Sequence, residues 1–216
     1  NIQNYFHRYY VPNNVAIVMA GDFDPDKTIA LIDQYFGSWK KSDNLSRPEF
    51  EAQPAITAVK DTTVVGKEQE NMMLAWLFKG VNDQQNDTLD VISDLLANGK
   101  AGLFEVDLEQ KMKLASAGAF NYGLHDYTAF IVQALPNKGQ KLEDTRALVL
   151  DEMDKLRRGE FADELLPAVM ANKKLNFYKG LDDNENRASI MVDAFINDQK
   201  WEDVAKQLDR QSKLTK

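Results

Sequence analysis

Residues 114–135 read LASAGAFNYGLHDYTAFIVQAL. Two apolar runs, 114–122 and 127–135, flank Gly123-Leu124-His125-Asp126, a turn of hairpin length. That pattern predicts two adjacent antiparallel strands. Upstream, residues 71–79, NMMLAWLFK, are apolar on both alternating faces, as expected of an inner strand covered on at least one side. Residues 86–97, NDTLDVISDLLA, place Leu89, Ile92, Leu95 and Leu96 on one helical face, and the loop NGKAG leads into a second helical stretch at 102–112. After Pro136-Asn137-Lys138-Gly139 the remainder reads as helix. Leu142, Val149, Met153 and Leu156 stripe one segment, and Leu165, Val169, Leu175 and Tyr178 the next. Val192, Phe195 and Ile196, then Trp201, Val204, Ala205 and Leu208, complete the apolar pattern. Three strands with several helices predict an α+β fold, an antiparallel β-sheet with helices packed on one face.

Towards the N-terminus, residues 40–57, KKSDNLSRPEFEAQPAIT, carry Pro48 and Pro54 with mixed charge and no period, the pattern of a linker. Residues 15–20, VAIVMA, lie between Pro12-Asn13-Asn14 and Gly21 and read as a strand. Asp24 reads as a helix N-cap, with Pro25 at the first helical position and Asp26 in the first turn, where a carboxylate favours the helix dipole. Ile29, Ile32, Tyr35 and Phe36 form the stripe this helix is expected to bury, and Gly37 stops it.

Composition narrows the function classes. A chain of 216 residues can bury a real core, and 44% apolar with 28% charged residues is ordinary for a globular protein. A net charge of −8 argues against nucleic acid and anionic membrane surfaces as partners. No apolar run approaches the ~18–20 residues of a membrane span, and no signal-peptide pattern opens the sequence. Residue 1 is Asn, which predicts a piece of a longer chain. Without cysteine there is no disulfide, thiolate metal site or cysteine nucleophile.

No constellation of catalytic residues emerges. His7 and His125 are the only histidines, and neither belongs to an HxxH, HxxEH or HxxxH pair, so no zinc site is expected. His7 reads as a surface residue and His125 as part of a turn. Asp22, Asp24 and Asp26 imitate the start of a calcium loop, but Lys27 and Asp33 stand where Gly and Glu are required. Helix capping explains the aspartates better. Residues 96–102, LANGKAG, differ from a phosphate loop in residue order and follow a helix instead of a strand. Ser116 lies in a strand with no GxSxG elbow, and carboxylates such as Glu51 or Asp182-Asp183 are ordinary on an acidic surface. The expected site list is therefore none: no catalytic, cofactor-binding or metal residues.

The stretch YFHRYYVPNNVAIVMAGDFDPDKTIALIDQYFGSW, residues 5–39, resembles a segment of the pitrilysin/insulinase family of zinc peptidases, the inverzincins. The likeness rests on Tyr10, Pro12, Asn14, Gly21, Asp22, Phe36 and Gly37. In that family the strand and helix close the first α/β domain, downstream of the zinc-binding HxxEH motif. The rest of the chain resembles the family's next, inactive peptidase domain. There the family pattern is roughly L-F-x-x-L-R-E-x-x-G-L-A-Y, with Arg and Tyr assisting substrate binding. Aligned through Leu108 and Leu114-Ala115, this sequence has Glu109 for the Arg and Ser116 for the Tyr, a departure that suggests the first half of a long, two-half member.

The resemblance implies a division into residues 1–39, the final strand and helix of a catalytic-type domain; 40–58, a linker; and 59–216, an inactive peptidase-like α+β domain. It implies a non-catalytic part of a zinc-dependent endopeptidase, forming part of a peptide-enclosing chamber, with zinc and HxxEH outside this chain. The alternative is a scaffold domain of a relative that has lost peptidase activity. The implied partners are the catalytic domain of the same polypeptide and the peptide substrate, with an extracytoplasmic, periplasmic bacterial location. Residues 15–20 are expected to pair with the sheet of 71–79, 114–122 and 127–135, within one chain or by strand exchange in a dimer. Trp76 and Phe78 are expected in or beside the sheet core, with Trp76→Ala costing about 3–5 kcal/mol.

Overall fold

A computed structural model describes residues 1–216. Near the N-terminus lie α1 (Ile2–Tyr9), a 3-10 turn (Pro12–Asn14) and α2 (Pro25–Phe36). Asp24 caps α2 as its sequence predicts: one carboxylate oxygen accepts from the Asp26 and Lys27 amides at 3.1 and 3.2 Å. Residues 40–71 then carry no regular structure, in keeping with the prolines and mixed charge of their first half.

The sheet follows. β1 (Met72–Lys79), β2 (Ser116–Gly123) and β3 (Tyr127–Leu135) are arranged β1-β3-β2, both pairs antiparallel. β2 and β3 form the expected hairpin, and Leu124 closes its turn by donating to the Tyr127 carbonyl at 2.8 Å. Between β1 and β2 lie α3 (Gln85–Leu96) and a π-helical turn (Glu105–Glu109). After β3 come α4 (Leu142–Arg157), α5 (Leu165–Leu181), α6 (Asn184–Ile196), α7 (Trp201–Ala205) and α8 (Gln207–Gln211). The architecture is α+β.

Register assigns the two sheet faces. Val132 lies between Leu74 and Ala119, and Phe130 between Trp76 and Asn121, on the face that meets the helices. There Phe104, Leu96, Leu108, Leu114, Val132 and Val149 are completely or almost completely buried and form the centre of the core. Where β1 turns into α3, only glycine fits at position 80. A Cβ there would run into the His125 carbonyl of the hairpin turn.

Several expectations need correcting. Residues 15–20 form no strand and belong to no ladder, and Val15, Ile17 and Met19 are exposed. They do not pair with the sheet within the chain, so β1 keeps a free edge. The α2 stripe is not buried either: Ile29, Tyr35 and Phe36 are exposed, because no element of this chain packs over them. The C-terminal stripes are half right. Val169 is buried against α3, whereas Leu175, Tyr178, Phe195, Ile196 and Trp201 face outward. Phe78 packs beside the core, but Trp76 sits at its rim, 36% exposed, with its ring 6.0 Å from that of Phe130.

Candidate functional site

His7 lies on exposed α1, and His125 lies in the hairpin turn, its Nδ1 2.7 Å from the Asp126 carboxylate. Fold geometry leaves the two histidines unassociated with any cluster of metal-ligating side chains. Asp24 is occupied with capping, and Asp183 caps α6 by accepting from the Asn186 amide at 2.8 Å. Glu51 is exposed.

The loop 96–102 does form a cradle of amides, but the chain fills it itself. The Glu105 carboxylate accepts from the amides of Asn98 and Gly99 at 3.3 and 2.9 Å. The Asn98 side-chain oxygen takes those of Lys100 and Ala101 at 3.1 and 2.9 Å. A phosphate would meet a carboxylate already in place. Gly102 makes the turn feasible, because a Cβ there would lie 2.6 Å from the Leu96 carbonyl.

Glu109 has a structural task. Its carboxylate accepts from the Ala117 amide at 2.7 Å and so anchors the start of β2. Ser116 is the first residue of that strand, opposite Leu135. Neither position presents a cation or a phenol.

Three surfaces remain. The outer sheet face carries Met73, Leu77, Phe120 and Tyr122, all exposed, around a half-buried Ile131. An apolar groove of about 570 Å³ runs beside Trp76, Ile92, Leu150, Met153 and Leu214. On the far side of α3, a polar cavity of about 460 Å³ opens between that helix, the β2–β3 hairpin and α7–α8.

An acidic row on α3 organises that last region. Asp94 binds the Lys173 ammonium at 2.6 Å, and Asp87 binds the Arg210 guanidinium at 2.5 Å. Asp87 thereby holds Arg210 above its ordinary pKa. Asp90, between them, has amide donors instead: Asn121 at 2.7 Å, Gln207 at 3.0 Å and Gln211 at 3.4 Å. Burial pushes its carboxyl above the ordinary aspartate range, against the opposing pull of the Asn121 hydrogen bond and the Lys173 charge. The sequence holds the i, i+3, i+7 spacing of these aspartates, but their partners lie 31 to 123 residues away.

The family model described as the peptidase M16 inactive domain matches residues 1–173. The chain belongs to that family. Among curated proteins, zinc protease PqqE of Helicobacter pylori is 27% identical over 203 residues, covering 91% of this chain and 45% of that protein. A protease structure from Helicobacter pylori superposes on 99% of this chain and 52% of its own, with a TM-score of 0.90 at 23% identity. The inactive peptidase domain of a putative zinc protease from Bordetella parapertussis shares the fold at a TM-score of 0.57 and 16% identity, over 69% of this chain and 82% of that one. The chain thus spans less than half the length of PqqE. Its family is that of the inactive peptidase domain, in agreement with the reading that this chain is not itself the peptidase.

Proposed function

We propose that this chain is a non-catalytic wall of the peptide-enclosing chamber in a zinc-dependent endopeptidase of the pitrilysin/insulinase type. The zinc and its HxxEH motif then lie in the catalytic domain of the same polypeptide, and nothing in this chain holds the metal. In this reading residues 1–39 complete that catalytic-type domain, 40–58 connect, and 59–216 form the wall.

The observation that carries the proposal is the uncovered sheet. Exposed Met73, Leu77, Phe120 and Tyr122 on one face, together with the free edge of β1, are what a domain offers when a neighbour or an extended peptide completes it. Strand addition reads backbone more than side chains, so such a wall suits varied peptides. Glu109 fits this role. Its carboxylate is committed to Ala117, so this domain supports the fold at a position where a substrate-assisting arginine would otherwise stand.

The test compares this chain with its parent polypeptide by zinc analysis and cleavage of fluorogenic peptides. The chain alone should hold no stoichiometric zinc and cleave nothing, while the parent should do both and lose cleavage when its motif histidines are replaced. A parent without HxxEH and without cleavage would turn the assignment to a scaffold domain.

A further inference from the structure

Asn98-Gly99 is the only Asn-Gly pair in the chain, and it lies in the loop that joins α3 to the π-helical turn. Such a pair carries a reaction of its own. Once the Gly99 amide loses its proton to hydroxide, its nitrogen attacks the side-chain carbonyl carbon of Asn98. A cyclic succinimide closes, and the Asn98 amide nitrogen leaves as ammonia. Water then opens the ring at one carbonyl or the other, giving aspartate or isoaspartate. The balance is one water consumed and one ammonia released. Glycine favours the attack because no Cβ stands beside the nucleophile. Gly99 is exposed, with φ at +77°, so water and hydroxide reach it.

The loop treats the two partners of this reaction differently. Asn98 Oδ1 accepts from the amides of Lys100 and Ala101 at 3.1 and 2.9 Å. Two N–H donors on one carbonyl oxygen polarise it towards attack, as donors do in an oxyanion hole. The nucleophile is held back instead. The Gly99 N–H donates to Glu105 Oε1 at 2.9 Å, while Oε2 takes the Asn98 amide at 3.3 Å. An ionised carboxylate in that position opposes deprotonation of Gly99, because the amide anion would form against a negative charge. Ring closure also costs the bond from Asn98 Nδ2 to the Asp94 carbonyl, 3.0 Å long. Gly102 leaves the space that Glu105 occupies, since a Cβ there would lie 2.4 Å from Oε2.

We infer that Asn98 is a deamidation site built into the fold, primed at its side-chain carbonyl and held in check by the Glu105 carboxylate at Gly99. Glu105 is a guard of the backbone nitrogen, and loss of its charge releases the reaction. The product does not restore the loop. Oxygen then stands where Nδ2 donated, facing the Asp94 carbonyl, and isoaspartate adds a methylene to the backbone. Leu96 and Phe104, fully buried at the centre of the core, lie just before and after this loop. Modification therefore loosens the junction across which the core closes. The inference is independent of the chamber-wall role.

The experiment incubates the 216-residue chain in mildly alkaline buffer, folded and in guanidinium chloride. Asn98 is followed by mass spectrometry of the tryptic peptide 80–100, with isoaspartate detection. Folded Asn98 should convert at least about tenfold more slowly than in denaturant, the order expected when one charged hydrogen bond has to be given up. Glu105→Gln, checked for folding by circular dichroism, keeps an acceptor but removes the charge and should speed conversion about tenfold. Glu109→Ala weakens the neighbouring turn without touching the loop, and should leave the Asn98 rate unchanged. Equal rates in the folded and denatured chain would overturn the inference. So would a Glu105→Gln chain no faster than the unaltered one, which would make Glu105 a base or a bystander. Equal acceleration by Glu109→Ala would overturn it too, leaving general loosening as the cause.

Discussion

Replacing Glu109 by alanine deletes the acceptor that starts β2. The Ala117 amide, half enclosed beside a buried Leu108, then has no protein partner. Loss of a charged hydrogen bond at such a place costs about 1.5–3 kcal/mol, to be read as a drop in urea midpoint at unchanged slope. Glu109→Gln, which keeps an acceptor oxygen, should recover most of it. Asp90 makes the opposite kind of prediction. Its folded pKa is raised by burial, so the folded state holds the proton more tightly than the unfolded chain does. Its contribution to stability is therefore complete below the ordinary aspartate value of about 3.9 and declines as pH rises through the folded value. Carboxyl carbon NMR should find Asp90 titrating later than Asp83 and Asp107. The Gln85 amide holds Asp83 low, and the Lys111 ammonium holds Asp107 low. Titration of Asp90 together with those two would contradict the burial argument.

At the scale of elements, Trp76 corrects an expectation drawn from pattern alone. The 71–79 run is apolar on both faces, which reads as a strand with nothing to spare for solvent, yet Met73, Leu77 and part of Trp76 are exposed. Trp76→Ala should accordingly cost about 1–2 kcal/mol, in proportion to the area it still buries against Phe130 and α3–α4. A measured loss above 3 kcal/mol would return the ring to the core. The strands themselves were legible because apolar runs and a hairpin turn are local signals, and so was the α2 cap, whose donors lie two and three residues from Asp24. VAIVMA reads as a strand in the sequence but forms none here, because pairing depends on which strand edge comes near. The cavity was not legible at all: Thr128 and Asn86 look like ordinary strand and helix residues until α7 and α8 close the opposite wall.

For the whole molecule, both core clusters lie between β1 and the C-terminus, α1 and α2 bury no residue, and Val11 alone is buried ahead of β1. A chain comprising 59–216 should therefore keep its dilute-solution stability within about 1 kcal/mol of the longer one, the size of effect seen when little packing is lost. That reverses the expectation attached to VAIVMA as the strand that completes the sheet. Chemical denaturation at low micromolar concentration measures it, and a sharp loss would show that residues 1–58 pack more firmly than their exposure indicates. The same exposed segment and the free β1 edge should make the longer chain associate at higher concentration, visible in scattering as a mass that rises with concentration.

The strand order β1-β3-β2 also sets a timetable. Each β1 residue pairs with a β3 residue 48 to 62 positions later in the chain, whereas β2 and β3 meet across a short turn. During synthesis from the N-terminus at about 5–20 residues per second, MMLAWLFK emerges roughly 3–12 seconds before its only ladder partner exists. For that interval the most apolar strand of the domain is a naked sticky segment on the ribosome's doorstep. A nascent chain of this kind is a natural client for a holding chaperone.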